Sequence, residues 1–247
     1  MTKPKVARTR RGNLRIGCCG WAHAQTEYFH NFSVIEVQQT FYHPPRLETL
    51  ARWRESAPRE FEFSLKAWQL ITHEATSPTY KRLKIAIPEE KKTRYGAFRP
   101  TEEVHAAWRT TLDCARALQA RIVLFQCPAS FTSTDEHIEN LGNFFTAARR
   151  DADDLVLAWE PRGKWCDKVV KALCAELGLV HAVDPFVQEP ASPDLRYFRL
   201  HGIKGYYSSY SETDLDRLAA CCRGETYVMF NNRTMADDAL RFRRRYG

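Results

Sequence analysis

Eight short apolar runs recur along this chain, and segments with helical character separate nearly every pair of them. The runs are LRIGCCG (14–20), VIEVQQTFY (34–42), FEFSLKA (61–67), RIVLFQC (121–127), LVLAWEP (155–161), LVHAVDP (179–185), LRYFRLHG (195–202) and TYVMFNN (226–232). Eight strands that each return through a helix are the plan of a closed parallel barrel of about 250 residues. The 247 residues therefore predict a single (β/α)8 TIM barrel.

The alternation of strands and helices runs the length of the chain without a break in composition or a linker rich in serine or glycine. We therefore expect one barrel domain over residues 14–247, preceded by a basic tail over residues 1–13. Two connections depart from a regular barrel. About a dozen residues separate the first two strands, which predicts a short first helix, whereas a long segment follows the third strand.

That long segment, residues 79–100, carries seven cations against two acids, a local charge of +5. Because it follows the carboxyl end of a strand, we expect it over or beside the mouth of the barrel, where TIM-barrel enzymes hold their active sites. Long irregular segments in compact domains are lids or other functional loops in some proteins and solvated loops in others. A cationic lid for an anionic ligand and a solvated loop are equal alternatives here.

The net charge of +7 is concentrated at the two ends of the chain. Ten cations and no acid lie within residues 1–15 and 241–247, so residues 16–240 carry a net charge of −3. The first strand begins and the last helix ends at the face of a barrel opposite its active site. The basic termini therefore say little about a substrate, although they remain an alternative contact for nucleic acid or a partner protein.

Neither a membrane span nor a secretory signal is apparent. No apolar run approaches the roughly 18 residues that a membrane span needs, and no apolar stretch follows the basic N-terminal residues. We therefore expect a cytoplasmic protein without a membrane partner, whose oligomeric state stays open. The eight cysteines form no C-x-x-C pair, and no histidine pair completes a zinc pattern, which favours buried structural thiols.

Alternate residues of a barrel strand face the interior, so the polar members of three runs are expected to point inward. Glu36 has this position in the second run, Lys66 in the third, and Arg199 and His201 share one side of the seventh. Charged groups inside a barrel are costly unless they are paired or reach water at the mouth. We therefore expect Glu36 to pair with Lys66 or with Arg199.

The polar ends of the strands form the candidate site. The candidate catalytic residues are Glu36, Lys66, Glu160 and His201. The candidate substrate-binding residues are Trp21, Gln38, Tyr42, Gln126, Arg162, Trp165, Asp184, Arg199, Gly202, Asn231 and Asn232. Carboxylates and histidine suit proton transfer, a lysine offers an amine, and arginines stabilise developing negative charge. The segments HGIKGYY and NNRTM follow the last two strands, where many barrels bind phosphate, although tight-turn glycines and an ordinary helix cap explain them slightly better.

A metal centre is an open alternative. The acids Glu36, Glu160 and Asp184 with His201 offer an oxygen-rich set that suits one divalent ion, Mg²⁺ or Mn²⁺, as an optional cofactor. A centre of several zinc ions would need more histidines at strand ends, and His201 alone has that position. The sequence contains no G-x-S-x-G, G-x-x-x-x-G-K-[ST], G-x-G-x-x-G or H-E-x-x-H motif.

The strand endings also resemble a known family. Its features are a G-W after the first strand, VEIN-TFY (here IEVQQTFY), F-x-F-x-x-K-A followed by I-T-H, VLFQCPASF, W-E-x-R with a nearby W, Y-x-R-L-H-G and Y-x-x-F-N-N. In this order, from about Ile16 to Phe242, they resemble the YecE-like family, or domain of unknown function seventy-two. The resemblance implies a βα barrel; the family has no established activity, and its similarity to endonuclease-IV-like barrels suggests a nuclease. Gln38 replaces the asparagine of VEIN, and the usual proline-containing loop of the first helix is shortened.

Three functional hypotheses follow. The leading one is an enzyme that acts on an anionic, phosphate-containing substrate, most specifically by hydrolysing phosphodiesters of nucleic acid. The second is a lyase or isomerase of a phosphorylated sugar-like metabolite, with Lys66 as its amine. The third is a non-enzymatic module that binds nucleic acid or a partner through the basic termini.

Overall fold

The computed structural model describes residues 14–247, which fold as a closed barrel of eight parallel strands. The strands are β1 (Leu14–Cys19), β2 (Val34–Val37), β3 (Glu62–Lys66), β4 (Ile122–Gln126), β5 (Val156–Glu160), β6 (Val180–Val183), β7 (Leu195–Leu200) and β8 (Glu225–Phe230). Each strand pairs with the next, and β8 pairs with β1 to close the barrel. The predicted TIM barrel is confirmed, while the predicted basic tail over residues 1–13 lies outside the described residues.

Helices surround most of the barrel. They are α1 (Gln25–Asn31), α2 (Gln39–Tyr42), α3 (Leu47–Ser56), α4 (Gln69–Thr72), α5 (Glu102–Leu118), α6 (Asp135–Asp151), α7 (Asp167–Leu177), α8 (Glu212–Cys221) and α9 (Met235–Tyr246). The first has seven residues, as the short first connection predicts. Within residues 14–247, no helix is long and apolar enough to cross a membrane.

The second strand ends earlier than its apolar run. β2 stops at Val37, Gln38 adopts helical backbone angles, and the last part of the run forms the single turn of α2. The Thr40 hydroxyl donates to the carbonyl oxygens of Val37 and Lys66 at 3.1 and 2.7 Å, which ties this turn to the end of β3. As a result, Phe41 and Tyr42 belong to the mouth of the barrel rather than to its wall.

The connection between β6 and β7 has no helix, so it departs from the helical returns of a regular barrel. Residues 184–194 contain Pro185, Pro190 and Pro193, each of which lacks a backbone donor and interferes with a helix. The loop is fastened to β6 by side chains instead. The backbone N–H of His181 donates to Ser192 Oγ at 2.7 Å, and the N–H of Ala191 donates to His181 Nδ1 at 3.1 Å.

The basic insertion over residues 79–100 lies beside the mouth. Its two 3-10 helices are Pro78–Arg82 and Glu89–Arg94. The Arg82 guanidinium stands 3.6 Å from the ring centre of Tyr42, and the Tyr80 hydroxyl donates to the His73 carbonyl oxygen at 2.8 Å. These contacts fasten the first half of the insertion to the loops that follow β2 and β3.

The second half of the insertion returns along α4. The backbone N–H groups of Gly96 and Phe98 donate to the carbonyl oxygens of Leu70 and Ile71, both at 2.9 Å. Gly96 has φ +80°, and a Cβ there would lie 2.4 Å from the His73 backbone, so glycine is required for this close approach.

Ion pairs neutralise only part of the insertion's charge. Lys91 and Arg94 both contact Glu103, and Lys92 contacts Glu89. Three cations of the insertion have no carboxylate partner among the residues that the structure describes. They lie nearer the mouth and are Lys81, Arg82 and Lys84.

The basic C-terminus is also partly neutralised. Arg245 contacts Glu212 and Asp216 of α8 at 2.8 and 2.6 Å, and Arg241 contacts Glu212 as well. These pairs join α8 to α9. They reduce the free positive charge that this terminus offers to nucleic acid, so the third hypothesis depends mainly on the N-terminal tail.

Candidate functional site at the mouth of the barrel

Arg199 of β7 occupies the centre of the barrel below its mouth, and only 1% of its surface is exposed. Its Nε and Nη2 donate to the two carboxylate oxygens of Glu36 at 3.0 and 2.8 Å. Its Nη1 donates to Glu160 Oε2 at 2.6 Å. Glu36 lies on β2 and Glu160 is the last residue of β5, so one guanidinium joins two walls of the barrel. Of the two partners that the sequence allowed for Glu36, Lys66 and Arg199, the structure therefore shows Arg199.

Neutral side chains complete the surroundings of this ion pair. The Tyr197 hydroxyl donates to Glu36 Oε2 at 2.8 Å and lies 2.8 Å from Ser64 Oγ. The Gln38 amide donates to Glu36 Oε1, and Gln126 Oε1 accepts from Arg199 Nη1 at 3.3 Å. Gln38 and Gln126 therefore belong to the ionic cluster, as do Ser64 and Tyr197, which the candidate set omitted.

The cluster continues outward to the solvent. Arg162 Nε donates to Glu160 Oε1 at 2.9 Å, and its Nη2 lies 2.6 Å from His201 Nε2. An arginine N–H can only donate, so His201 Nε2 accepts and the histidine proton resides on Nδ1. Nδ1 faces Asp184 Oδ2 at 3.8 Å, and Asp184 also accepts from the backbone N–H of His201 at 3.2 Å.

Both buried carboxylates are ionised at neutral pH. Burial opposes ionisation of Glu160, but the charges of Arg199 and then Arg162 outweigh it and lower the Glu160 pKa to about 2. Burial likewise opposes ionisation of Glu36, whose pKa Arg199 holds below its usual range. An effective general base has a pKa near the working pH. These two acids are therefore better suited to holding Arg199 than to removing a proton.

Lys66, the last residue of β3, is placed differently. Its Nζ stands 3.4 Å from the ring centre of Phe41, and it forms no hydrogen bond or ion pair with any residue in 14–247. The side chain is 5% exposed, but Nζ is not among the buried atoms that lack partners, so it keeps contact with solvent. Burial foremost, and then the charge of Arg199, lower the pKa of Lys66 to about 7. A large fraction of this lysine is therefore neutral amine near neutral pH.

A cavity of about 560 Å³ opens on one side of the mouth. Glu160, Arg162, Asp184 and His201 contribute its polar wall, and Val187 of the β6–β7 loop contributes to its rim. Arg162 uses Nε and Nη2 within the cluster, whereas Nη1 makes no hydrogen bond to any described residue. This volume is typical of pockets for small molecules.

Three candidate residues lie outside the cluster and pack elsewhere. Trp21 makes edge contacts with Tyr28, Phe29 and Trp53. Trp165 packs against Trp159 and donates from Nε1 to the Phe131 carbonyl oxygen at 2.8 Å. Asn232 is buried and donates to Asp238 Oδ2 at 2.7 Å, which fastens the start of α9. The structure assigns these side chains packing and capping contacts, and it does not bring them to the cluster.

The segment after β7 is a tight turn. Gly202 has φ +86°, and a Cβ there would lie 2.3 Å from the Gly205 carbonyl oxygen. Its backbone N–H already donates to the Tyr210 hydroxyl at 2.6 Å, and the N–H of Asn231 donates to the Leu200 carbonyl oxygen at 2.8 Å. Neither donor is free for a phosphate group. Tyr42, the remaining candidate, lies under Arg82 at the rim.

The residues that the sequence offered as metal ligands do not fit a metal ion. Within residues 14–247, no three His, Cys, Asp or Glu side chains are grouped in a way that would hold one. All four oxygens of Glu36 and Glu160 already accept hydrogen bonds from side chains, and Arg199 lies between the two acids. We therefore derive no step through Mg²⁺ or Mn²⁺.

His73 and Phe41 lie at the mouth beside Lys66, although the candidate set did not include them. The centres of the His73 and Phe41 rings are 5.0 Å apart, and Lys66 Nζ lies over the same Phe41 ring. Nδ1 of His73 is 2.8 Å from Thr72 Oγ1. His73 follows α4 rather than a strand, so strand alternation gave no reason to place it at the mouth. Its position just beyond the third run was the available signal.

Together the fold and this mouth define a TIM-barrel protein with a buried ionic cluster at the carboxyl ends of its strands. Residues 15–246 match the family described as "Protein of unknown function DUF72". The chain therefore belongs to that family, and the YecE-like resemblance of its motifs is confirmed. A search among curated proteins found no match.

Solved structures share the fold. A DUF72 protein from Enterococcus faecalis V583 is 21% identical, with a TM-score of 0.69 over 94% of this chain and 96% of that one. A DUF72 protein from Thermotoga maritima MSB8 is 20% identical, with a TM-score of 0.62 over 94% and 98%. Endonuclease IV from Thermus thermophilus is 12% identical, with a TM-score of 0.57 over 94% and 98%. At these identities the likeness concerns the fold.

Proposed function

We propose that this protein is an enzyme that acts on a small anionic carbonyl compound, as a lyase or isomerase of a phosphorylated sugar-like molecule. The observation that carries the proposal is the Lys66 amine, which lies at the mouth without a hydrogen bond or ion pair to the described residues. A lysine kept only for its charge would be expected to contact Glu36 or Glu160, both of which instead hold Arg199.

The chemistry follows from an amine of this kind. Neutral Lys66 attacks the carbonyl carbon, a C–N bond forms, and the π electron pair moves to the carbonyl oxygen. A proton passes from nitrogen to that oxygen, and loss of water then gives an imine. Once protonated by water at the mouth, the imine accepts the electron pair of an adjacent C–H or C–C bond as that bond breaks, and the proton released from the carbon or from the departing fragment's hydroxyl passes to water. Burial above all, and then the positive charge of Arg199, keep part of the Lys66 population neutral, as the first step requires.

The cavity supplies a place for the anionic group. Arg162 Nη1 lacks a partner among the described residues, and a guanidinium is well suited to binding phosphate. Glu160 and His201 fix the other two nitrogens of Arg162, so the free one has a defined direction. A phosphorylated substrate would therefore place its charge at Arg162 and its carbonyl toward Lys66.

The test is borohydride trapping. The protein is incubated with a panel of phosphorylated aldehydes and ketones, reduced, digested and analysed by mass spectrometry. We expect a stable adduct on Lys66 and none above background on exposed Lys84. Lys66→Arg keeps the charge and removes the nucleophile, so its adduct should disappear. Absence of a Lys66 adduct across the whole panel would refute the proposal.

Phosphodiester hydrolysis in nucleic acid is the second candidate. It is supported by the three cations beside the mouth that lack carboxylate partners, Lys81, Arg82 and Lys84. On the other side of the mouth, Tyr207 is 77% exposed and offers a face for stacking on a base. Arg162 would contact the phosphate through its free Nη1, the buried Arg199 would stabilise the developing charge from below without contact, and His201 would supply the proton that it carries on Nδ1.

Its test uses single- and double-stranded oligonucleotides with a panel of divalent metals. Cleavage that falls when the three cations are changed to alanine, but not when Lys168 of α7 is, would support the second candidate. No cleavage of any oligonucleotide under any metal would exclude it. The two tests are independent, because trapping on Lys66 requires a carbonyl group that nucleic acid chains without abasic sites do not present.

A further inference from the structure

We propose that His73 is the neutral hydrogen-bond donor that holds the carbonyl oxygen of the substrate while Lys66 attacks the carbonyl carbon. The inference rests on the proposed amine chemistry of Lys66 and adds a second catalytic residue to it. A carbonyl group needs both partners, since an amine approaches its carbon while negative charge gathers on its oxygen.

The two groups are placed against one ring. Lys66 Nζ stands 3.4 Å from the centre of the Phe41 ring, and the His73 ring meets the same ring edge-on at 5.0 Å. Phe41 is 1% exposed and is carried by α2, which Thr40 ties to the end of β3. The amine and the imidazole are therefore held in a fixed relation by a rigid apolar support.

His73 is itself immobilised, and one of its polar atoms is open. Its backbone N–H donates to the Gln69 carbonyl oxygen at 2.8 Å, and its own carbonyl oxygen accepts from the Tyr80 hydroxyl. Nδ1 is engaged by Thr72. Nε2 forms no hydrogen bond to a described residue, yet it is not among the buried atoms without partners, so it keeps contact with solvent. In a side chain only 4% exposed, this is the atom that a ligand can reach.

The contact with Thr72 determines which nitrogen carries the proton. Thr72 is buried, and its hydroxyl has Nδ1 of His73 as its partner among the described residues. If Nδ1 carried the proton, the hydroxyl would accept it and its own O–H would be buried without an acceptor, which is costly. The favourable arrangement has Thr72 donating to Nδ1, so the histidine proton is on Nε2 and points to the open side.

The imidazole is also kept neutral. Burial above all, and then the charges of Lys66 and Arg162, lower the pKa of His73 to about 3. It stays neutral at every pH at which Lys66 has a neutral amine. A neutral imidazole that polarises a carbonyl oxygen is an established catalytic device in TIM barrels.

The step balances without another reagent. The Lys66 nitrogen forms a bond to carbon, the π electron pair moves to oxygen, and the surplus proton on nitrogen passes to that oxygen. His73 keeps its own proton and stabilises the oxygen through the Nε2–H bond while the negative charge develops. The product is a carbinolamine, and its loss of water gives the imine.

The experiment compares His73→Phe with His73→Gln, using pyridoxal phosphate as an anionic aldehyde probe. The rate of borohydride-fixed adduct formation on Lys66 is measured for each variant by peptide mapping. Phenylalanine keeps the ring that packs against Phe41 but has no donor, whereas glutamine loses the ring and keeps an N–H. Loss of one such donor typically lowers a rate about 100-fold or more, so we expect that decrease for phenylalanine and a much smaller one for glutamine.

The order of the two variants separates a donor from a packing residue. The role of His73 is refuted if Lys66 is labelled as fast in His73→Phe as in wild type, or more slowly in His73→Gln than in His73→Phe. In either case the role of Lys66 stands. If wild type forms no Lys66 adduct with pyridoxal phosphate or with any member of the carbonyl panel, the proposed function fails and this role falls with it. Thr72→Val, nearly isosteric and with His73 unchanged, is the second variant. It should also slow labelling, and an unchanged rate would contradict the assigned proton position.

Discussion

Replacing Arg199 with methionine removes the cation that joins two buried carboxylates. Glu36 and Glu160 are 0% and 6% exposed, and each accepts from the guanidinium at 3.0 Å or less. Removing one partner of a buried ion pair costs about 3–5 kcal/mol, and here one cation serves two acids, so we expect about 5 kcal/mol. For a domain of this size, that corresponds to a fall of roughly 10–20 °C in Tm.

The stability lost in Arg199→Met should depend on pH in a defined direction. Both acids have folded-state pKa values below their usual range, about 2 for Glu160. Their contribution to stability is therefore present above the unfolded pKa of about 4.3 and is lost as the pH falls toward 2. In Arg199→Met, burial without the cation raises the pKa values of both glutamates. At mildly acidic pH the two carboxylates therefore become protonated, which removes the cost of burying their unpaired negative charges. We expect the difference from wild type to be largest at pH 7 and to shrink below about pH 5.

Urea unfolding followed by tryptophan fluorescence at pH 7.5 and at pH 4 measures both effects. The matched control is Arg245→Met, which makes the same change at an exposed ion pair and should leave the unfolding midpoint nearly unchanged. The reasoning is refuted if Arg199→Met lies within about 1 kcal/mol of wild type, the range of ordinary substitutions. It is also refuted if the deficit is the same at the two pH values.

Three further predictions concern other parts of the mouth. Lys66→Met should be more stable than wild type at pH 6, on the order of a few kcal/mol, because the Lys66 pKa of about 7 means that burial penalises its ammonium form. In urea unfolding, wild type should gain stability from pH 7 to pH 10 and the variant should not. Gly202→Ala should lower stability by about 1–3 kcal/mol, since its φ is +86° and its Cβ would meet Gly205, while trapping on Lys66 is unchanged. Tyr80→Phe should speed limited proteolysis within residues 81–92, because the hydrogen bond to His73 is lost; equal digestion rates would contradict this.

Strand alternation was sufficient to predict which charged side chains face the interior of the barrel. A period of two places Glu36, Lys66 and Arg199 inside the barrel, and the cost of burying charge requires that they be paired or reach water. It cannot choose between Lys66 and Arg199 as the partner of Glu36. That choice depends on the three-dimensional separation of β2, β3 and β7, which the closed barrel sets.

Residues in loops were less predictable. His73 is held at the mouth by two sets of hydrogen bonds. The returning insertion donates backbone hydrogen bonds to α4, and the Tyr80 hydroxyl donates to the His73 carbonyl oxygen. Contacts between separate segments of this kind are not revealed by a periodic pattern. The packing contacts of Trp21 and Trp165 could not be predicted for a related reason. An aromatic side chain after a strand is equally compatible with binding a ligand and with packing between helices, and neighbours distant in sequence decide the outcome.

The missing helix was visible in the sequence as three prolines between β6 and β7. Its consequence is that the barrel tolerates change unevenly around its circumference. At the other connections, an inserted segment would have to fit among the surrounding helices. The loop over residues 184–194 has no helix beside β6, and its Val187 is 84% exposed. It is a natural place for a descendant of this chain to acquire an added segment, and Val187 also borders the candidate substrate cavity. New specificity could therefore arise there by insertion, while the ion pairs that hold the barrel together are left untouched.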